Sequence, residues 1–580
     1  MPTPGAVGGV DRRTFMGLCS VLGLGGGLPA ALWTAARPSR ALAQSSQTPQ
    51  TPPRITKEIL IAAETMIGLE LTDAERELML NGLNQTLTGY ADLRKVTIPN
   101  SVIPAIRFDP SFVIPEAGAA GRARTGARPA RRPMVVRPTT PADLAFLSVQ
   151  DLGPLLKARK VSSLELTQLA LDRLKQFNPE LLCVVNLTEE RALAQAKVAD
   201  QELSRGKYRG PLHGIPWGAK DLLAVPGYPT TWGSPIYRER VLQETATVVE
   251  RLDRAGAVLT AKLSLGEFAQ GDVWFGGTTK NPWKLDQGSS GSSAGPASAT
   301  ASGCLPFTIG SETLGSIVSP ATRCGVSGLR PSFGRVSRYG AMALSWTMDK
   351  LGPMCRSAAD CGLVFGAIYG PDGKDPTVYD RPFDWSPGRG LAGLRIGFLQ
   401  SAFEAEHQAK PFDLAGLEVL RKLGASLVPV SLPSDLPTGA LRIILSAEAA
   451  AAFDEVTRSG KDDQMVQQTR GAWPNSFRTA RFIPAVEYIQ ANRVRTMLME
   501  KMEELMRDLD VVVTPTSGGL QTTNLTGHPA VVVPNGFNPD GTPVSLVFLG
   551  RLFGEADLLS AAEAYQGATD FHTRRPPKFV

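Results

Sequence analysis

Apolar and polar positions alternate in two different ways along this chain, and the change between them divides it. From Ile55 to Arg94 the period is helical. Thr72-Asp73-Ala74-Glu75 reads as a capping box, and Met79, Leu83, Leu87 and Tyr90 follow at helical spacing. The preceding run, Ile59 to Leu69, predicts a second amphipathic helix, so a helical hairpin is expected within residues 55–115. From Thr140 onward helical and strand-like runs alternate. Ser162-Ser163-Leu164-Glu165 caps a helix that places Leu166, Leu169, Ala170 and Leu174 on one face. Cys183 to Leu187, Leu394 to Leu399 and Val511 to Thr514 read as strands, and Thr247 to Leu259 as a helix. Such alternation predicts one α/β body over 140–580, a mostly buried sheet covered by helices.

Three stretches lack either period. Residues 44–54 are a polar tether rich in Ser, Thr, Pro and Gln. Residues 116–139 hold Arg122, Arg124, Arg128, Arg131 and Arg132 among Gly, Ala and Pro, and read as a solvated basic linker. An arginine-rich contact to an anionic partner is the alternative there. The third stretch, Gln287 to Ala321, is crowded with Gly, Ser, Ala and Thr but is not a repeat. Its middle, Cys304 to Ile309, is apolar enough for a buried strand, which a flexible Gly/Ser linker would have no reason to carry. Serines held at a site on either side of a strand are the better reading.

Composition changes this picture little. Of 580 residues, 43% are hydrophobic and 20% charged, as in a soluble globular protein, and the net charge is only +6. No basic cluster on a structured element points to nucleic acid. The first 43 residues add more. Asp11-Arg12-Arg13-Thr14-Phe15, a weakly apolar run from Met16 to Trp33, and Ala41-Leu42-Ala43 resemble a twin-arginine export signal with its cleavage site. Gly23, Gly25, Gly26, Gly27 and Pro29 interrupt the run, which disfavours a membrane anchor. Export to the periplasm or beyond is therefore expected. Beyond Cys19, the cysteines Cys183, Cys304, Cys324, Cys355 and Cys361 are odd in number and irregularly spaced, so they are no disulfide framework.

Two sets of residues could carry chemistry. Lys220 ends the apolar, turn-rich run Gly214-Ile215-Pro216-Trp217-Gly218-Ala219. Burial there would disfavour its charged form, although pairing with Asp221 as a structural lysine fits the same residues. The serines of the Gly/Ser stretch need a base within hydrogen-bond reach. Histidine is scarce: His213, His407, His528 and His572 are the whole supply, and none stands in a catalytic motif. His213, before a Gly-Ile-Pro turn, reads as structural. Scarce His, Gly-flanked serines and a Lys after an apolar turn favour Ser-Lys chemistry. No paired histidines or CxxC clusters suggest a metal, and no cofactor is implied.

Three segments in order, GIPWGAKD, SGSSAGPASATASG and GSETLGSIVSPATRCGVSGLRPSFGRVS, resemble the amidase signature family, with likeness from about Asp143 to Pro577. The resemblance implies the amidase-signature fold, a large mixed sheet covered by helices, and a Ser-Ser-Lys triad. The matching lysine is Lys220 and the nucleophile falls on Ser316. The family's bridging serine, preceded by a cis peptide bond, lies 24 residues earlier at Ser292. Backbone N–H groups of Thr313, Leu314, Gly315 and Ser316 take the place of the oxyanion hole. The hairpin segments ITKE, LELTDAERE and LNQTLTGYADL resemble the small C subunit of glutamyl-tRNA amidotransferase, and a generic hairpin fits them equally.

The chain departs from the family pattern in places. The usual Thr-Asp-x-Gly-Gly-Ser is Ser311-Glu312-Thr313-Leu314-Gly315-Ser316, with Leu314 in place of a glycine. Val318 stands where many members have Arg, which weakens the case for a substrate carboxylate near the scissile bond unless Arg323 points inward. The sequence thus predicts an exported hydrolase of a small carboxylic amide, aryl or alkyl. An amidotransferase protein of the A-subunit kind and a catalytically silent binding protein on the same fold are its rivals. Oligomeric state is not legible.

Overall fold

The computed structural model describes residues 54–67, 70–93, 99–102, 106–113, 136–516 and 518–580. The expected export signal, most of the tether and most of the arginine-rich linker lie outside these residues. The described chain forms two units. The small one is the N-terminal pair of helices, Lys57–Ile67 and Asp73–Leu93. Arg76 near the start of the second helix bonds Glu64 near the end of the first at 2.7 Å. Asn84, further along, both accepts from Ile55 N–H and donates to Ile55 C=O, at 3.0 Å each. Those two ties fix the pair as antiparallel, the hairpin that the pattern of apolar positions predicts.

The large unit is built on one eleven-stranded sheet. In chain order its strands are β1 (Val184–Leu187), β2 (Pro216–Lys220), β3 (Val258–Leu263), β4 (Phe307–Glu312), β5 (Ser327–Arg330), β6 (Lys350–Cys355), β7 (Ile396–Leu399), β8 (Leu427–Val430), β9 (Val511–Pro515), β10 (Ala530–Phe537) and β11 (Pro543–Gly550). Their order across the sheet is β1-β3-β2-β4-β6-β5-β10-β11-β9-β7-β8. Parallel pairs sit at β2 with β3 and β4, and at β7 with β8 and β9, while the strands between are antiparallel. The sheet is therefore mixed. Its central strands are buried on both faces, which is why β2, β3 and β6 read as continuous rather than alternating.

Two boundaries differ from the sequence expectation. The helix expected over Thr247–Leu259 ends at Arg254. Gly256 at φ +81° then reverses the chain, and Val258 already belongs to β3, paired with Pro216. The strand expected at Cys304–Ile309 begins at Phe307 and runs to Glu312. Pro306 lacks the N–H that a central strand must donate, so pairing starts after it. The Gly/Ser stretch is ordered throughout: a helix over Ala294–Ala301 precedes β4 and another over Val318–Cys324 follows the turn after it.

The site sits where β2 and β4 end together. They run parallel, with Ala219 opposite Ile309, so Lys220 at the end of β2 reaches Ser311 near the end of β4. Trp217 and Phe307, stacked at 6.1 Å, fill the core behind that pair.

Candidate active site

Lys220 is fully buried, and its Nζ lies within hydrogen-bonding distance of three hydroxyls: Ser292 Oγ at 2.8 Å, Ser311 Oγ at 2.9 Å and Ser293 Oγ at 3.0 Å. Burial holds its pKa well below that of an ordinary lysine, although the charges of Asp349 and Glu312 pull the other way. Asp221, the partner a structural reading of Lys220 would use, is instead paired with the buried Lys262 at 2.7 Å.

The three hydroxyls are not equivalent. Ser293 is tied at both ends to Ser311: its Oγ donates to Ser311 C=O and accepts from Ser311 N–H, both at 3.1 Å. Ser292 Oγ has Lys220 as its hydrogen-bond partner among the described residues and is 1% exposed. The peptide bond Gly291–Ser292 is cis, in the register the family resemblance implies. Gly291 is obligatory: a Cβ there would lie 1.8 Å from Gly271 O.

Ser316 lies in the turn between β4 and the helix Val318–Cys324, and is half-buried. Ser293 N–H donates to Ser316 C=O at 3.1 Å, which draws the two serine segments together. No hydrogen bond joins Ser316 Oγ to Ser292 Oγ in this structure. The N–H groups of Thr313, Leu314, Gly315 and Ser316 donate to no acceptor among the described residues. Gly315, at φ +94°, gives the turn a curvature that side-chain-bearing residues avoid.

Two carboxylates that sequence reasoning assigned no role brace this turn. Glu312 Oε2 accepts from Ile317 N–H at 2.8 Å and Val318 N–H at 2.9 Å, and Oε1 accepts from Arg330 and Asn524, each at 2.8 Å. Burial alone would raise its pKa, but the Arg330 guanidinium, Lys350 and the donated N–H groups hold it down at about 2. Asp349 accepts from Thr313 Oγ1 at 2.6 Å and from the Leu344 and Ser345 N–H groups. Glu312 was visible in the sequence only as a departure from an aspartate, and its spacing to Ile317 and Val318 is a weak signal for a buried brace.

A cleft of about 170 Å³ opens beside Ser311 and Thr313. Its walls are largely apolar, with Leu222, Ala269, Met342, Leu344, Trp346 and Leu351 among them. The two cations on it are both engaged: Arg338 with Asp375, Thr377 and the Trp346 carbonyl, and Lys374 with Glu250. Val318 is buried in the core, and Arg323 is exposed and donates to Gln287, so it does not stand in as an inward cation. His213 is buried with Glu202 at 3.2 Å and accepts from Arg209 N–H, consistent with a structural histidine. The cysteines from Cys183 to Cys361 are all buried free thiols.

This fold, with a lysine buried among serines beside a turn of free N–H groups, is that of an amide-cleaving enzyme class. The family model for Amidase matches residues 165–523, and the chain belongs to the amidase signature family. The A subunit of glutamyl-tRNA(Gln) amidotransferase from Chloroflexus aggregans is 38% identical over 485 residues, covering 75% of this chain and 99% of that protein. Its counterpart from Methylococcus capsulatus is 34% identical over 478 residues, covering 74% and 98%. Among solved structures, the peptide amidase of Stenotrophomonas maltophilia has a TM-score of 0.66 and 31% identity, covering 74% of this chain and 98% of that one.

Proposed function

We propose that this chain cleaves a carboxylic amide through an acyl-enzyme on Ser316, with Lys220 as base and Ser292 as relay. The observation that carries the reading is the buried Lys220 amine, depressed by burial and 2.8 Å from Ser292 Oγ. Neutral Lys220 takes the Ser292 proton as Ser292 takes that of Ser316. Ser316 Oγ, turned toward Ser292 by rotation about χ1, attacks the amide carbon and the carbonyl oxygen becomes an oxyanion. The N–H groups of Thr313, Leu314, Gly315 and Ser316 are free to receive it, and losing one such donor costs roughly 10²–10³ in rate. The intermediate collapses with cleavage of the C–N bond, and the proton returns through Ser292 to the departing nitrogen. Water, deprotonated along the same path, then releases the acid and regenerates Ser316.

Two readings differ in what the amide is. The relatives' names support an amidotransferase role of the A-subunit kind, in which the chain would supply the amide-cleaving site of a larger assembly. They favour it over an exported hydrolase, whose export rests on residues 1–43 alone. The cleft supports a hydrolase acting on an amide with an apolar acyl group, because its walls are apolar and its cations are already paired with carboxylates. Ammonia release from glutamine separates these from turnover of aryl and alkyl amides, and fractionation of cells with Arg12→Lys/Arg13→Lys tests export. The shared chemistry is tested first: a fluorophosphonate probe should label the wild-type chain and not Ser316→Ala. Equal labelling of the variant overturns the nucleophile assignment.

A further inference from the structure

A second cleft, of about 300 Å³, lies at the other end of β6 from the serines. Leu351 on β6 pairs with Ser311, and Arg356 follows Cys355 where that strand leaves the sheet. Five residues of strand put Arg356 roughly 17 Å from the Lys220 cluster along the sheet. The cleft is therefore not part of the amide site.

Arg356 is the unusual group there. It is 8% exposed and lines the cleft, yet its guanidinium makes no hydrogen bond or ion pair among the described residues. No neighbouring carboxylate forms an ion pair with it; the buried Asp360 attracts it only from beyond contact. It lies 4.6 Å above the Phe146 ring, which also carries Arg173 at 5.4 Å and Arg575 at 4.9 Å. Arg173 spends its donors on the Ser302, Gly303 and Phe579 carbonyls, and Arg575 on Asp143. The acids on the wall are engaged too: Asp151 accepts from Ser148 Oγ and Glu563 from Gly388 N–H. Burial, then the positive charge of Arg575, lowers the Arg356 pKa to about 10 against the pull of Asp360, with Arg173 adding a little, so it stays a cation at neutral pH.

Two helices start at this cleft. Val149–Lys157 begins after Ser148, and Ala358–Ile368 after Ser357, and both capping serines are on the wall. The first N–H groups of these helices are already taken by Asp360, Ser148, Gln566 and Ser357, so the bonds to a ligand fall to the guanidinium, whose planar fork matches the paired oxygens of carboxylates and phosphates. A buried cation with no carboxylate bonded to it is costly, so a ligand that supplies one binds with part of that cost relieved. We propose that this cleft is a binding site for a small oxyanion, a carboxylate or phosphate group, held by Arg356 and separate from the amide-cleaving site.

The test is a titration of inorganic phosphate and, in a second arm, of succinate, at ionic strength held constant with sodium chloride. The readout is thermal melting of the full chain. One of the two should raise the melting temperature saturably in both the wild type and Ser316→Ala, and the arm that does so identifies the source of the oxyanion. Arg356→Gln should weaken that response at least tenfold in apparent affinity. Thr573→Glu, which adds a carboxylate at an exposed position on the rim, should do the same while leaving Arg356 in place, and serves if Arg356→Gln fails to fold. A response no larger than that to chloride in both arms overturns the proposal. So does a response unchanged in Thr573→Glu.

Discussion

Replacing Glu312 with Gln separates the brace of the Ser316 turn from the chemistry proposed for it. The carboxylate is fully buried and its oxygens receive four donors: the Ile317 and Val318 N–H groups, Arg330 and Asn524. Gln keeps the shape but offers one acceptor oxygen, so its NH₂ must face either Arg330 or the two backbone N–H groups. Breaking one side of a buried ion pair typically costs about 3–5 kcal/mol, because the remaining charge stays buried. The pKa gives a second route to the magnitude. A carboxyl held at about 2 rather than 4.5 contributes on the order of a few kcal/mol, at roughly 1.36 kcal/mol per unit. The two routes agree in order of magnitude. The sign follows from the lowered pKa: the contribution is complete above about pH 4.5 and is lost as pH falls through about 2. Urea unfolding followed by tryptophan fluorescence should therefore show Glu312→Gln less stable by about 3–5 kcal/mol at pH 7. The difference from wild type should shrink between pH 4.5 and 2, with fluorophosphonate labelling of Ser316 slowed at neutral pH. A penalty below about 1 kcal/mol at pH 7, or one that ignores pH across that window, refutes the reasoning.

Lys220→Ala should fold, by circular dichroism, with amide turnover at background, and substantial residual turnover would remove Lys220 from the role of base. Because burial lowers the Lys220 pKa, the unfolded chain binds more protons there, so wild-type stability should rise with pH between its folded value and 10.5. In urea titrations Lys220→Met should reduce that rise, which the buried Lys262 and Lys350 share, and an unchanged slope contradicts the depressed pKa. Gly291→Ala forces a methyl against the Gly271 carbonyl oxygen and should cost about 1–3 kcal/mol or more. Its loss of fluorophosphonate labelling should exceed its loss of stability, and a fully active variant would show that the serine segment tolerates displacement.

Periodicity was enough for the hairpin and the α/β body, because Met79, Leu83 and Leu87 on one side and the buried strands on the other carry their own signals. It failed where structure depends on partners. Val258 and Leu259 read as the tail of a helix until β3 finds β2 beside it. The Ala294–Ala301 helix has no apolar face to read, since every one of its residues is buried. Lys220 and the serine segments were legible as chemistry only together, and their order came from the resemblance. Glu312 and Asp349 were not legible, because a buried acid announces itself through the N–H groups it satisfies, which no sequence displays.

The proton inventory around Lys220 ties these observations to a direction of transfer. An ammonium offers three donors and no acceptor, whereas a neutral amine offers two donors and one lone pair. Three hydroxyls surround Nζ, so their own proton commitments matter. Ser293 Oγ–H is committed to Ser311 C=O, which leaves Ser293 only able to accept from the amine. Ser311 Oγ can accept the second amine proton at 2.9 Å. Ser292 and Ser311 are the two hydroxyls whose protons have no other acceptor among the described residues, and Ser292, at 2.8 Å, is the nearer to the lone pair. With Ser292 as that donor, a neutral amine is fully satisfied before any substrate binds. An ammonium would instead need Ser292 to accept, and burial already disfavours that charge. Of the four serines between Ser289 and Ser293, the proton inventory supports Ser292 over Ser293 for the proposed relay. Ser292→Ala should leave Lys220 neutral but disconnected, with labelling of Ser316 slowed far more than by Ser311→Ala. Equal effects of the two substitutions would refute the assignment.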